Sequence, residues 1–406
     1  MSKTIKQTKK VVLAFSGGLD TSFCTIYLKE KGYEVITVTV DSGGMTKDEK
    51  EDIENKSKVL GAKKHYFIDT KKHYFDSIIS WIIRTNGLYE GSYPNIVSSQ
   101  RYHIIEKCVE IAHKEGAMYI ADGNSGMGND QIRFNVTAAI LAPDITIIEP
   151  IKEMGGNREA EKKYLAEHGH PVKDVHKKYT INISLMGISY SGGEIDQNLE
   201  PKEDIFHWVT GQKVSQKAYF DIEFQAGLPI KLNGKEITGE KIMEYLNPII
   251  GSYGYGKGYY TGDCMIGIKG HLVYECPAIF FLLKAHQALE QYVLTKPQVY
   301  FGNYISQEMT EMIYNGKFYD PHVTDLKHYI TSQQKNVSGV VKMKMEFGNA
   351  LPVSVQTNYS LIDAKVATYA QSKSWTKEEV DGFIKLYGLQ SIIASNVSKK
   401  GGSKHV

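Results

Sequence analysis

The first third of the chain alternates short apolar runs with longer stretches of helical pattern. Runs rich in Val, Ile or aromatic residues predict strands at Val11–Phe15, Glu34–Val40, His65–Asp69, Met118–Ala121 and Ile145–Glu149. The stretches between them predict helices at Asp20–Lys31, Lys47–Leu60, Phe75–Arg84, Ser98–Glu115 and Asp130–Leu141. This alternation indicates right-handed βαβ units and a parallel sheet with helices on both faces. In such sheets ligands bind beyond the carboxyl ends of the strands, so chemistry is expected in the loops that follow them.

The pattern changes between Glu153 and Lys178, a charged segment that we interpret as a linker. Beyond it the elements are mixed. They are a hairpin at Tyr219–Phe224 and Leu228–Leu232, helices at Gly239–Ile250 and Pro277–Val293, and a strand pair at Gly339–Phe347 and Leu351–Gln356. We therefore expect an α/β protein with a parallel-sheet domain over residues 1–172, an α+β domain over 173–365 and a helical arm and tail over 366–406.

The arm is the amphipathic segment Thr376–Asn396, which predicts a helix with no core of its own. Such a helix packs either on a second subunit or back on its own domain. The sequence leaves both arrangements open.

Composition narrows the class of protein. The chain has 406 residues, 42% of them hydrophobic, which indicates two or three domains with large cores. A net charge of +2, from 48 basic and 46 acidic residues, gives no sign of a nucleic-acid-binding coat. The four cysteines match no zinc or disulfide spacing, so we expect reduced thiols. Met1–Lys10 lacks the apolar stretch of a signal peptide, and the longest apolar run, Ala278–Leu283, is too short to span a bilayer. These features predict a cytoplasmic protein without a membrane segment.

The stretch from Ala14 to Ser22 is the first candidate site. A buried strand ends here, Gly17 and Gly18 allow a close backbone approach, and polar residues from Asp20 onwards open a helix. Free N–H groups and the helix dipole favour an anion at such a point. The residues alone leave two possibilities open, a glycine turn that caps a helix and a phosphate site.

No Walker A pattern is present, and no Rossmann fingerprint opens a βαβ unit. The stretch Ser16-Gly17-Gly18-Leu19-Asp20-Thr21-Ser22 does resemble the PP-loop of the ATP pyrophosphatases, which split ATP between the α and β phosphates. Its position after the first strand is where a phosphate site is expected.

A second glycine-rich loop, from Gly123 to Gly128, leads into Asn129, Asp130 and Arg133. Arg offers a planar fork for a carboxylate, Asp attracts an ammonium group and Asn does both, so the set suits a small zwitterion. The alternative is a capped helix start with an internal salt bridge.

This second stretch resembles the Gly-x-Thr-Gly-x-Gly-Asn-Asp-Gln-x-Arg-Phe signature of the argininosuccinate synthase family. The segment Leu88–Tyr93, with Ser98 and Arg101, is similar to that family's citrulline loop. Lys269 and Tyr274 fall in a segment that resembles its substrate-domain strand. The similarity runs from Lys10 to about Tyr387 and indicates a divergent branch.

The resemblance implies a set of site residues. ATP would be bound by Ala14, Phe15, Ser16, Gly17, Gly18, Leu19, Asp20, Thr21, Ser22, Val40 and Gly123. Citrulline would be bound by Tyr93, Ser98, Asn129, Arg133, Thr180, Ser189, Asp263 and Tyr274. Aspartate would be bound by Ser125, Asn129 and Asp130. Asp20 would organise the phosphate loop and Mg²⁺, and Asp130 would orient the amine and help to remove its proton.

The sequence departs from the family pattern most at Gly262, which stands where the family has a Glu that contacts citrulline. Asp263, next to it, is expected to substitute with a shorter reach. Ser125 replaces Thr and Thr180 replaces Ser, which keeps a hydroxyl at both positions. Phe15 stands where many members have Tyr, and the residues 95–97 lack a usual Gly-Thr pair.

The implied reaction joins citrulline and aspartate to give argininosuccinate, with ATP cleaved to AMP and pyrophosphate through a citrullyl-AMP intermediate. The resemblance also implies Mg²⁺ and a homotetramer, with no nucleic-acid or membrane partner. A related AMP-forming ligase for a citrulline analogue is one alternative. A PP-loop tRNA-modifying enzyme and an ATP-binding protein without activity are two others.

Overall fold

The computed structural model describes residues 9–124, 128–155, 157–172, 178–210, 216–346, 348–366 and 374–401. The chain forms two compact units, Met1–Tyr359 and Ser360–Val406. Among the described helices, none has the length and the apolar character that a membrane span requires.

The first sheet is parallel and contains the strands that the sequence predicts. They are β1 Lys9–Ala14, β2 Tyr33–Asp41, β3 Lys64–Asp69, β4 Tyr119–Ala121 and β5 Thr146–Ile148. Their order is β3-β2-β1-β4-β5, and every pairing is parallel. The predicted fold class is confirmed. The winding direction reverses between β1 and β4, which is the point where open parallel sheets bind ligands.

Helices lie on both faces of this sheet. The helices of this part of the chain are α1 Leu19–Glu30, α2 Lys47–Val59, α3 Lys71–Tyr74, α4 Ser80–Thr85, α5 Ile96–Glu115, α6 Asn129–Leu141, α7 Pro150–Met154 and α8 Arg158–Glu167. Of these, α3 and α4 pack in the apolar cluster of the later part of the unit and not on this sheet. Val12 of β1 packs in one apolar cluster with residues of α5, and its neighbours Val11 and Leu13 pack in another with α1 and α8. Successive strand residues point to opposite faces, so a strand covered on both sides reads as an unbroken apolar run.

Two sequence predictions need correction here. The helix predicted at Phe75–Arg84 begins earlier, because α3 and α4 are joined by a π-helical turn at Phe75–Ile79. The segment interpreted as a linker contains α8, whose Leu165 is fully buried against the first sheet's helices. Six of the ten residues of α8 are charged, and only Leu165 and Tyr164 pack against the apolar cluster, so the hydrophobic pattern gives little sign of this helix.

The later part of the first unit contains two antiparallel sheets, with strand orders β10-β9-β8-β13-β14 and β11-β12-β7-β6. Its elements are β6 Thr180–Ile183, β7 Ile188–Ser191, β8 Ala218–Gln225, β9 Leu228–Leu232, β10 Lys235–Glu236, α9 Gly239–Ser252, β11 Lys257–Asp263, β12 Lys269–Glu275, α10 Pro277–Val293, α11 Lys296–Tyr314, α12 Pro321–Gln334, β13 Gly339–Glu346 and β14 Asn349–Gln356. The predicted hairpin is confirmed, with Ala226 (φ 47°) and Gly227 (φ 79°) between its strands. Positive φ at both turn residues matches the twist of the flanking strands.

The second unit contains α13 Lys377–Tyr387 and α14 Leu389–Gly401. The single helix predicted at Thr376–Asn396 is therefore wrong, since the chain changes helix at Gly388. Thr376 and Glu379 form a capping box at the start of α13. None of the residues of α13 is buried, although Phe383, Ile384 and Leu386 are apolar.

Candidate active site

The loop after β1 presents backbone N–H groups at the start of α1. α1 begins at Leu19, and no described side chain caps its N-terminus at Gly18. The first N–H groups of a helix have no partner within the helix, and the dipole there favours an anion. Gly17 has φ +72°, and a Cβ there would lie 3.1 Å from Ile53 Cγ1. Glycine is therefore needed for this turn, whose geometry suits a phosphate group.

Hydroxyl groups and one lysine surround the same loop. Ser16 Oγ and Thr21 Oγ1 lie 3.3 Å apart, and Ser22 Oγ donates to a carbonyl at the helix start at 2.7 Å. Lys56 of α2 donates from Nζ to Gly17 O at 3.4 Å. The loop and Lys56 line a cavity of about 480 Å³. Lys56 is not in the PP-loop motif, yet it places a positive charge where phosphate oxygens would bind.

The remaining residues predicted to bind ATP lie around this loop in different ways. Phe15 and Val40 are buried at the ends of β1 and β2, and Ala14 is half-buried. Gly123 follows β4, and a Cβ there would lie 3.0 Å from Thr21 Cγ2. The close approach at Gly123 brings the loop after β4 directly against the phosphate loop.

Carboxyl groups lie close to the phosphate loop. Burial, and then the neighbouring Asp20 carboxylate, raise the pKa of Glu161 on α8 to about 7. Burial likewise raises the pKa of Asp122, which follows β4, to about 6. One oxygen of each, Glu161 Oε2 and Asp122 Oδ2, is buried without a hydrogen-bond partner among the described residues. Both groups therefore favour a proton or a cation.

A second cavity, of about 410 Å³, brings together most of the residues predicted to bind citrulline and aspartate; we call it the acceptor cavity. The predicted residues that line it are Tyr93, Ser98, Asn129, Asp130, Arg133, Thr180 and Ser189. They come from the N-terminal ends of α5 and α6 and from β6 and β7. Asn124 also lines it and follows Gly123, so one loop connects the acceptor cavity to the phosphate loop. Ser125 lies outside the described residues.

Asp130 lies between two arginine side chains. Its Oδ2 is 2.8 Å from Arg101 Nη2, and its Oδ1 is 2.9 Å from Arg133 Nη1. Burial raises the pKa of Asp130, but the charges of the two guanidinium groups outweigh this effect and leave that pKa below its ordinary value. Arg133 Nε also donates to Tyr314 O at 2.9 Å, and Arg101 Nη2 to Asn182 Oδ1 at 3.3 Å. The two guanidinium planes are therefore fixed in orientation.

Tyrosine side chains form another part of the acceptor cavity. Tyr93 stacks on Tyr260 with ring centroids 4.9 Å apart and meets Tyr274 edge-on at 5.8 Å. Tyr93 Oη accepts from the Val97 N–H at 3.1 Å, and Tyr274 Oη donates to Ser92 O at 2.9 Å. Tyr274 therefore supports Tyr93, and Tyr260 is a wall residue that the family motif does not include.

The space next to Gly262 is filled by two other side chains. A Cβ at Gly262 would overlap the hydroxyl of Tyr260 and the carboxylate of Glu90. Tyr260 Oη donates to Glu90 Oε2 at 3.0 Å. Glu90 has φ +48°, a conformation that residues with a Cβ adopt rarely. A carboxylate from the segment before α5 thus stands where a Glu at position 262 would begin.

The predicted substitute, Asp263, is placed differently. Its Oδ1 pairs with Lys269 Nζ at 2.6 Å across the β11–β12 pair, and both side chains are largely exposed. Asp263 is not among the residues that line the acceptor cavity in the described part of the chain. Glu90, not Asp263, is the carboxylate in contact with a wall residue of that cavity.

Some residues of the acceptor cavity are missing from the set of site residues that the resemblance implies, although Arg101 belongs to the segment that is similar to the citrulline loop. Asn182 follows Thr180 by two positions, which places both on one face of β6, and Arg101 follows Ser98 by three positions on α5. Strand and helix periodicity therefore carry a signal for both. Tyr314 is at the end of α11, far along the chain, and no local pattern identifies it.

A parallel sheet whose first strand leads into a glycine-rich phosphate loop, with a zwitterion-sized polar cavity beside it, defines a nucleotide-binding protein of the PP-loop class. Two family models match the chain. The model described as the arginosuccinate synthase N-terminal HUP domain matches residues 10–171, and the one described as the arginosuccinate synthase C-terminal domain matches residues 179–394. The chain belongs to the argininosuccinate synthase family.

Individual relatives agree with these matches. The argininosuccinate synthase of Xylella fastidiosa is 41% identical over 398 residues, which cover 96% of this chain and 98% of that protein. That of Pyrococcus furiosus is 41% identical over 392 residues, which cover 96% of this chain and 95% of that protein. That of Xanthomonas campestris is 39% identical over 398 residues, which cover 97% of this chain and 100% of that protein. The predicted family and its class, an ATP-dependent ligase, are confirmed, and the roles of single residues stay predictions.

Proposed function

We propose that this protein joins the amino group of aspartate to the ureido carbon of citrulline and cleaves ATP to AMP and pyrophosphate, as a step of arginine biosynthesis. The observation that carries the proposal is the position of the loop after β4, which touches both sites. This loop packs on the phosphate loop at Gly123 and lines the acceptor cavity at Asn124. An α-phosphate at the phosphate loop and a small zwitterion in the acceptor cavity would meet here.

The first step activates a poor electrophile. The ureido oxygen of citrulline forms a bond to the α-phosphorus of ATP, the bond from that phosphorus to the bridging oxygen breaks, and pyrophosphate leaves. Backbone N–H groups at the start of α1, the hydroxyls of Ser16 and Ser22, and Lys56 supply donors for the developing charge. No covalent bond to the protein is needed.

In the second step the amine of aspartate attacks the activated carbon, loses a proton, and AMP leaves. Asp130 suits the orientation of that amine, because its carboxylate stays ionised between Arg101 and Arg133. The predicted role in proton removal fits this geometry less well, since the lowered pKa makes Asp130 a weak base. Arg133 already donates from Nε to Tyr314 O and from Nη1 to Asp130, so it would offer Nη2 to a substrate carboxylate.

The α-ammonium end of citrulline would be bound by Glu90 and Tyr260. These groups occupy the place of the Glu that the family pattern has at Gly262. An ionised carboxylate is the partner that an ammonium group needs. Asp263 has its own partner in Lys269, so we assign it a supporting part only.

Asp20 and Glu161 fit a Mg²⁺ ion. Magnesium prefers carboxylate oxygens together with substrate phosphates, and Glu161 Oε2 is a buried acceptor without a partner among the described residues. The raised pKa of Glu161 beside Asp20 reflects a place where positive charge is favoured. When bound, the ion would neutralise charge on the phosphates.

The assembly, the location and the domain boundaries complete the proposal. Family membership and the uncovered apolar residues of α13 support a homotetramer built through the helical arm. A cytoplasmic location and the absence of a nucleic-acid partner agree with the near-neutral charge. We keep the division at 1–172, 173–365 and 366–406 as the domain hypothesis.

The test is a pyrophosphate-release assay with ATP, citrulline and aspartate, in which each substrate is left out in turn. We expect release to require ATP and citrulline, and argininosuccinate to form only with aspartate present.

A ligase for a citrulline analogue is the second candidate, favoured by the altered surroundings of Gly262. It would release pyrophosphate with aspartate and a different ureido compound but not with citrulline. ATP binding without turnover of either acceptor would contradict both functions.

A further inference from the structure

Two histidines and a glutamate converge between α3 and α5, outside both cavities. His73 belongs to α3, whereas His103 and Glu106 lie one turn apart on α5. His73 Nε2 and Glu106 Oε2 are 2.9 Å apart, and one donor atom from each of the three residues lies within 4.8 Å of the others. Three donors at this spacing can bind a single cation.

His103 is the unusual member of the cluster. It is 1% exposed, and neither of its ring nitrogens has a hydrogen-bond partner among the described residues. Its ring packs against those of Tyr74, at 4.5 Å, and His73, at 5.5 Å. A buried polar group without a partner is unfavourable, so this imidazole is placed to bind something that the side chains around it do not supply.

The surroundings suit a bound cation. Glu106 Oε2 accepts from Tyr319 Oη at 3.3 Å, a hydrogen bond of the kind that orients a ligating carboxylate. Lys107 Nζ lies 3.9 Å from Glu106 Oε1 but pairs more closely with Glu110, at 2.6 Å. The side chain of His73 is 39% exposed, which leaves a path from solvent. Two imidazoles and one carboxylate favour zinc and similar transition metals over magnesium or calcium, which prefer oxygen donors.

We propose that His73, His103 and Glu106 bind one divalent transition-metal ion, for which Zn²⁺ is the best match, with water completing the coordination. The ion would tie α3 to α5. Ser98 and Arg101 on α5 line the acceptor cavity, so the ion would hold the helix that carries them. Its role is structural, since no reacting group lies in this cluster.

Zn²⁺ titration of the full-length protein tests the site. The protein is stripped with a chelator, dialysed, and titrated by calorimetry in excess Mg²⁺, which occupies the carboxylates near the phosphate loop. We expect one equivalent of Zn²⁺ to bind and the melting temperature to rise with it. No stoichiometric binding would overturn the proposal.

Variants locate the ion. His103→Leu removes both ring nitrogens and keeps the apolar volume, and we expect it to abolish the stoichiometric binding. Glu106→Gln keeps an acceptor for Tyr319 and should weaken Zn²⁺ binding at least about tenfold, because losing a ligand costs no less than losing its outer partner. His113→Gln, on the same helix but paired with Asp144 at 3.4 Å, is the matched control and should bind as the parent does. If Glu106→Gln binds as tightly as the control, the ion is elsewhere and the assignment is wrong.

Discussion

The phosphate loop and the acceptor cavity hold their polar groups in different ways. In the loop, consecutive residues supply backbone N–H groups and hydroxyls from one strand end and one helix start. In the acceptor cavity, small groups of residues come from α5, α6, β6, β7, β11, β12 and α11, and aromatic stacking and side-chain hydrogen bonds hold them. A site built from one continuous segment has little freedom to change residue by residue. A site assembled from many elements can lose one group and regain it from another.

Gly262 illustrates that freedom. The carboxylate that the family pattern places there is absent, and Glu90 fills the space through contact with Tyr260, 170 residues away along the chain. The phosphate loop should therefore tolerate substitution less well than the acceptor cavity does. Changes in the phosphate loop should be severe, and changes at the α-ammonium end of the acceptor cavity should be moderate.

Asp20→Ala should have the largest effect. Asp20 lies in the first turn of α1 and beside Glu161, so its loss would disturb both the phosphate loop and the Mg²⁺ site. We expect pyrophosphate release with all substrates present to fall below detection while the melting temperature stays close to that of the parent. A variant that retains activity would refute the role given to this loop.

Asp130→Ala should separate the two steps of the reaction. Without its carboxylate, Arg101 and Arg133 repel each other and the amine of aspartate loses its partner. We expect argininosuccinate formation to fall about 100-fold or more, the cost of a misplaced reactant, with a smaller loss of citrulline-dependent pyrophosphate release. Rapid-quench measurement of both products checks this, and equal losses in the two would contradict the assignment.

Glu90→Gln should raise the KM for citrulline about tenfold and leave the KM for ATP unchanged. The amide keeps the hydrogen bond from Tyr260 but loses the charge that attracts an ammonium group, a difference of about 1.5 kcal/mol or more. Asp263→Asn is the matched control, since Asp263 pairs with Lys269, and should change the KM for citrulline less than twofold. A larger effect for Asp263→Asn than for Glu90→Gln would reverse our assignment.

Asp122→Asn should change the pH dependence of stability. Burial raises the pKa of Asp122 to about 6 in the folded protein, above its value in the unfolded chain. Between about pH 4 and 6 the unfolded state is deprotonated while the folded state keeps its proton, so the free energy of unfolding falls as the pH rises, by about 3 kcal/mol, and then levels off. Asn lacks this titration. Calorimetry should show that the melting temperature of the variant minus that of the parent increases as the pH rises from 4.5 to 7. A difference that stays constant over this range would count against the raised pKa of Asp122.

The elements that the sequence predicts are those whose residues are close together along the chain. The five strands of the parallel sheet and the phosphate loop follow from local signals, since buried strands read as apolar runs and the motif lies within a few residues. The helix α8 is not predicted, because Leu165 is the single apolar residue that it buries completely. The contact between Glu90 and Tyr260 is not predicted, because no local sequence pattern indicates that two segments far apart along the chain lie close together in space. Most of the acceptor residues that the resemblance implies meet in one cavity, whereas Tyr274 and Asp263 do not line it and Ser125 lies outside the described residues.

The central claim is that the ureido oxygen of citrulline attacks the α-phosphorus of ATP. Citrulline labelled with ¹⁸O in the ureido group, incubated with ATP, aspartate and the protein, tests this directly by mass spectrometry of the AMP. We predict that each AMP formed carries one ¹⁸O, because the oxygen leaves the carbon together with the phosphoryl group. Unlabelled AMP formed along with argininosuccinate would contradict the account.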